Sequence, residues 1–170
     1  MLGDLTAPPL PERAKDDYDT CSDTYVTLRV YHRAADPETV GKILGLVATK
    51  TQRPGQEYQH RQGVRTYQIS GWFLCSEHHV QSFDTAKHLA WLLDQLDGRV
   101  QLLAELKQAG WWMDIFCMWD SQYGHGGPTL PASLLGRLAS LGIDLGFDVY
   151  FFGAYRGLRE EAARHAWKGT

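Results

Sequence analysis

Twice along this chain the same signals occur in the same order: an alternating run of β-branched and aromatic residues, a loop, a proline-started helical segment closed by glycine, and a second strand-like run. The first copy spans Tyr25 to Ser76 and the second Trp111 to Phe152. A period of two followed by a period of 3.6 marks strand and then helix, so the echo predicts two βαβ halves. In the first, "DTYVTLRVYHR" sets Val26, Leu28 and Val30 on one face and Tyr25, Thr27, Arg29 and Tyr31 on the other. "DPETVGKILGL" offers Asp36 as a side-chain cap, Pro37 at the first helical position and Gly45 as the stop. The polar stretch from Val47 to Arg65 is a long connection that is either functional or contains a hairpin. A strand over Thr66 to Ser76 follows.

Between the halves, Ala86, Leu89, Ala90, Leu93 and Leu96 form one helical stripe, and after Asp97 and Gly98 a second helical piece runs to Ala109. The second half reads "WWMDIFCMWD", a glycine-rich loop, a helix with Leu134, Leu135, Leu138 and Leu141 ended by Gly142, and the strand "GFDVYFFG". Two such halves joined by a helical hairpin predict an α+β, ferredoxin-like domain. Its expected sheet is four-stranded, mixed or antiparallel, with the halves interleaved and helices mainly on one face. A doubly wound parallel sheet needs helices on both faces and is the lesser expectation. Residues 1–20 are polar and proline-rich without an apolar face, so a disordered leader is expected there. The single domain is expected over 21–170, closing with an amphipathic helix at about 156–167.

Charge narrows the partners. A net charge of -3 leaves no basic footprint for phosphate backbones or anionic membranes. Neither nucleic acid nor membrane is therefore expected as a partner. An aromatic sheet face can stack bases, but the third strand, "WWMDIFCMWD", is acidic. Three widely spaced cysteines, no apolar signal segment and no long apolar run predict a cytoplasmic protein with reduced thiols.

Three groups of residues are candidates for function. In the loop "DSQYGHGGPTLP", Gly124, Gly126 and Gly127 precede a helix start, where free backbone donors attract anions. Pro128 and Pro131 remove two of those donors, and no lysine follows, so a hard turn presenting Tyr123 and His125 as contact residues is the preferred reading. The second group, Cys75, His78 and His79, joined by Cys117 or His125, is half of a soft-metal ligand set. Without a paired motif, no metal and no cofactor are predicted. The third group follows from strand parity. Trp72, Trp112, Asp114, Phe116, Met118, Asp148, Tyr150 and Phe152 can join Tyr25, Thr27, Arg29 and Tyr31 on the sheet face away from the helices. Such a face is covered by other segments with Arg29 neutralised by an aspartate, or it is a protein or homodimer interface, or it is a small-ligand cleft using Asp114 and Asp148. Trp91, opposite the leucine stripe of its helix, must be covered by a neighbouring segment or by a partner.

The runs "TYVTLRVY", "DPETVGKILGL", "TKTQRPGQ", Trp72, "LAWLLDQL" and "GGPTLPASLLGRLASLGIDLGFDVYFF" resemble the bacterial family catalogued as domain of unknown function 4279, over Thr24 to about Gly153. That family has no settled activity. The resemblance implies a weak association with immunity-type proteins encoded beside toxins. The expectation is a non-enzymatic interaction module whose binding candidates are Arg29, Trp72, Trp91, Trp112, Asp114, Tyr123, His125, Asp148 and Tyr150. The alternative is a small-ligand sensor or enzyme built on Asp114, Asp148 and the His125 loop.

Overall fold

The computed structural model describes residues 18–151. The leader up to residue 17, Phe152 and the amphipathic segment at 156–167 lie outside the described residues. Eleven elements follow one another: β1 (Cys21–His32), α1 (Glu38–Leu44), β2 (Lys50–Gln52), β3 (Glu57–His60), β4 (Gly63–Thr66), β5 (Ser70–Cys75), α2 (Thr85–Leu96), α3 (Val100–Gln108), β6 (Trp112–Ser121), α4 (Ala132–Leu141) and β7 (Asp144–Tyr150). The fold is α+β, and its main sheet is mixed. The long polar connection does contain a hairpin, β3 against β4, which forms a separate two-stranded sheet. Among the described residues no helix is long and apolar enough to cross a membrane.

Helix boundaries follow local chemistry. Asp84 accepts a hydrogen bond from the Ala86 N–H and caps α2. Gly45 and Gly142 take the left-handed conformation that ends α1 and α4, at φ 65° and 59°. Asp36 accepts from the Glu38 N–H at 3.2 Å, and Pro37 stands at the cap of α1 rather than inside it. The Tyr18 ring packs edge-on against Trp119 at 5.8 Å, and its hydroxyl accepts from the Thr129 N–H at 2.6 Å.

The sheet departs from expectation in two ways. It has five strands rather than four, and their order is β2-β5-β1-β6-β7. Interleaved ferredoxin-like halves would put a strand of one half between the two strands of the other. Here β1 pairs directly with β5 of its own half, and β6 with β7 of its own half; the halves meet only at β1 and β6. The connections are the physical reason. α1 returns the chain so that β2 runs parallel to β1, both being antiparallel to β5, and the β3–β4 hairpin that follows turns it back before β5. β5 therefore enters antiparallel, between β2 and β1 of its own half. The loop and ten-residue α4 carry the second half back far enough for β6 and β7 to be parallel.

One face of the sheet carries the core. Val26, Leu28, Val30, Trp72, Leu74, Ile115 and Cys117 pack there with the inward residues of all four helices. Behind them, Ser76 Oγ accepts from the Val26 N–H at 2.9 Å and lies 2.7 Å from His88 Nδ1. His88 Nε2 is 3.0 Å from the Ser82 carbonyl. A carbonyl only accepts, so Nε2 carries the proton and the Ser76 hydroxyl donates to Nδ1.

Candidate functional site

Among the described residues, no helix packs on the opposite sheet face. Register fixes which residues share it: Thr27 stands across from Cys75 and Phe116, Arg29 from Phe73 and Asp114, Tyr31 from Gly71 and Trp112. Tyr25 faces Met118, which in turn faces Asp148. The alternation of β1 thus places Arg29, Trp112, Asp114, Asp148 and Tyr150 on this face as expected.

Trp72 is the exception. It pairs with Val30 on the helix face and is 0% exposed, so it is a core residue and no part of this surface. All six residues of β5 are buried, and a strand apolar on both faces carries no parity signal. Phe73, one position on, takes the place expected of Trp72.

The open face is built as a layer of rings over glycines. Phe73 lies against Gly71, where an added Cβ would come within 2.6 Å of its ring, and Phe116 lies against Gly146, where the distance would be 3.1 Å. Tyr31 meets Phe73 edge-on at 5.5 Å and stacks with Trp112 at 6.0 Å. Trp112 is 45% exposed. Arg29 crosses this layer with its guanidinium 3.9 Å above the Phe116 ring. It also donates both Nε and Nη2 to Asp114, at 2.7 and 2.5 Å, the two-pronged geometry that guanidinium and carboxylate favour. Burial works against the Arg29 charge, but the Asp114 hydrogen bond and the negative groups nearby outweigh it, and its pKa is raised.

Further along the face, Tyr25, Cys75 and Met118 form a small second core with Tyr150 packed against it. The Tyr150 hydroxyl donates to the Asp148 carboxylate. Asp148 stands opposite Met118, four residues from Asp114 along β6, which is about 13 Å of strand. The two aspartates are therefore engaged separately, one by arginine and one by tyrosine.

The remaining candidates lie elsewhere. Tyr123 and His125 stack at 5.9 Å in the loop after β6, the full length of that strand from Trp112, about 30 Å. Gly124 and Gly126 adopt positive φ, Ser121 Oγ donates to the His125 carbonyl, and the Thr129 N–H is taken by Tyr18. The glycines turn the chain, and the Thr129 N–H ahead of α4 is already used. Trp91 is covered by a neighbouring segment: His79 stacks on it at 4.6 Å and 12°. Cys75 and Cys117 are on opposite sheet faces, and among the described residues no cluster of three or more His, Cys, Asp or Glu can hold a metal. A groove of about 590 Å³ between α1 and β2, lined by residues such as Glu38, Lys42 and Val47, contains none of the predicted site residues.

Comparison with known families decides the kinship. Residues 22–152 match the family described as Domain of unknown function (DUF4279). The chain belongs to this family. The match spans β1 to β7, so DUF4279 here comprises the whole five-stranded sheet together with its helices. No curated protein and no solved structure matches the chain.

Burial also sets an alkaline limit on this DUF4279 domain. It pushes the Cys117 thiol up to about 12 and, with the Asp148 hydrogen bond, the Tyr150 hydroxyl up to about 12; Tyr25 and Tyr31 are raised as well. Each group keeps its proton in the folded chain at a pH where the unfolded chain has lost it. Their contribution to stability is complete below the ordinary values of 9.0 and 10.0 and is lost as pH climbs towards 12. Urea midpoints should therefore be flat up to about pH 9 and fall steadily above it. A midpoint unchanged at pH 11 would contradict this assignment.

Proposed function

We propose that this DUF4279 domain is a non-enzymatic cytoplasmic interaction module that binds a protein partner through the sheet face opposite its described helices, centred on Trp112, Tyr31 and the Arg29–Asp114 pair. The observation that carries the reading is the half-exposed Trp112 stacked on Tyr31 beside a guanidinium already fixed by its carboxylate. Tryptophan, tyrosine and arginine supply most hot-spot energy at protein interfaces. A face whose charges are paired internally asks a partner for apolar contact rather than for a counter-ion. Three widely spaced, buried cysteines fit a reducing compartment. An immunity-type protein capping a toxin is the concrete version of this reading. The sensor or enzyme reading has less behind it, because Asp114 and Asp148 are separated and each is engaged, and His125 stands beyond the far end of β6.

A photo-crosslinking amino acid placed at position 112, and as control at exposed position 105 on α3, tests this in cells. One discrete protein adduct is expected at 112 and none at 105; equal or absent adducts would overturn the proposal. With the partner in hand, Trp112→Ala should weaken binding at least about tenfold. Its half-exposed ring should move the thermal midpoint by only a few degrees, of order 1 kcal/mol.

A further inference from the structure

β7 ends the sheet: among the described residues its inner edge pairs with β6 and no strand pairs with its outer edge. It is seven residues long, a length at which a free edge invites another strand. Its helix-face side chains extend beyond the core. Leu145 packs against the main cluster, but Phe147 is 41% and Val149 64% exposed. An unpaired edge flanked by two bare apolar side chains is the kind of surface that soluble proteins cover.

We propose that a second copy of this chain covers it, β7 pairing antiparallel with β7 across a two-fold axis at Phe147 to make one continuous ten-stranded sheet. The strand's own sequence argues for the second copy. Antiparallel partners must share a face, so the axis passes through a residue and every allowed register shifts by two positions in partner numbering. Centred on Phe147, all of Asp144–Tyr150 is paired. Phe147 then meets Phe147, Leu145 meets Val149, Gly146 meets Asp148 and Asp144 meets Tyr150. The apolar residues match on the helix face, and no carboxylate faces another on the open face. Moving the axis to Gly146 sets Asp144 against Asp148, and moving it to Asp148 sets that residue against itself. Like charges directly opposite destabilise a strand pair, so both flanking registers are disfavoured and the fully paired one is left. The contact is isologous and closes as a dimer, with no further edge of the same kind exposed.

The two-fold axis makes the test sharp, because in this register only position 147 faces itself. In the full chain, Phe147→Cys should form a disulfide-linked dimer under mild oxidation at least about tenfold faster than Val149→Cys, whose nearest copy is offset beyond disulfide reach. The native cysteines are buried, and exposed position 64 on β4 supplies a third cysteine variant as a collision control. Sedimentation of the unsubstituted chain should show a dimer, and Val149→Lys should convert it to a folded monomer. A chain that remains monomeric at all concentrations overturns the proposal, since the edge is then covered in another way. Equal crosslinking at 147, 149 and 64, or a dimer indifferent to Val149→Lys, overturns it too. Trp112→Ala should leave the dimer intact, so this proposal and the partner-binding reading fail separately.

Discussion

Trp72→Ala should cost the fold about 3–5 kcal/mol and lower the thermal midpoint by on the order of 10 °C. Trp72 is completely buried on the helix face, paired with Val30 on one side and Thr51 on the other. Helix α1 comes close to it through Gly41, where an added Cβ would stand 3.3 Å from the indole nitrogen and 2.8 Å from the Leu46 carbonyl oxygen. A helix anchored that tightly cannot collapse into the space the indole leaves, so most of the cavity persists. The comparison that gives the result meaning is Trp112→Ala, a tryptophan in another strand of the same sheet but on the opposite face. Calorimetry should separate the two by several degrees. Equal midpoints would mean that the register across β5 and β1 is other than described.

The second large effect is expected at Ser76. Ser76→Ala removes the acceptor of the Val26 N–H and the donor to His88 Nδ1 in one step. Both are inaccessible to water, since Val26, Ser76 and His88 are all 0% exposed. Each of the two buried polar groups that loses its partner costs about 1–3 kcal/mol, so a total of about 2–6 kcal/mol is expected. Urea denaturation measures it as a lowered midpoint at unchanged slope. Nitrogen-15 chemical shifts of the His88 ring provide the independent check, because the hydrogen bonds require the proton on Nε2. A cost below about 0.5 kcal/mol, or an Nδ1–H tautomer, would refute the network.

These two residues also mark where the sequence was legible. The alternation in β1 was plain because one of its faces packs under helices and the other does not. Val26, Leu28 and Val30 could be assigned inward, and Arg29 and Tyr31 outward, from that strand alone. In β5 both faces are buried, by helices on one side and by the ring layer on the other, so Trp72 and Phe73 were interchangeable on pattern. Ser76 stood in "CSEHH" beside two histidines that suggested a metal, yet its partner is His88, twelve positions later on α2. Thr85, His88 and Leu92 share one helical stripe and are all buried; that spacing was the available signal. Strand order was the least legible feature, because it depends on how far each connection carries the chain. The Arg29–Asp114 pair joins residues 85 positions apart, and no local pattern encodes such a register.

That separation also governs the order in which the domain can assemble. β1 occupies the middle of the sheet and is the first strand made, but it needs β5 on one side and β6 on the other. At about 5–20 residues per second, the 85 residues between Arg29 and Asp114 take roughly 4–17 s to synthesise. Within that interval β5 emerges to pair with one edge of β1, but the other edge has no strand beside it until β6 is made. The β3–β4 hairpin closes within microseconds of leaving the ribosome, whereas the sheet nucleus waits for "WWMDIFCMWD". Folding should therefore be slow for a chain of this size, limited by long-range strand pairing, and the nascent β1 is the segment a chaperone would hold.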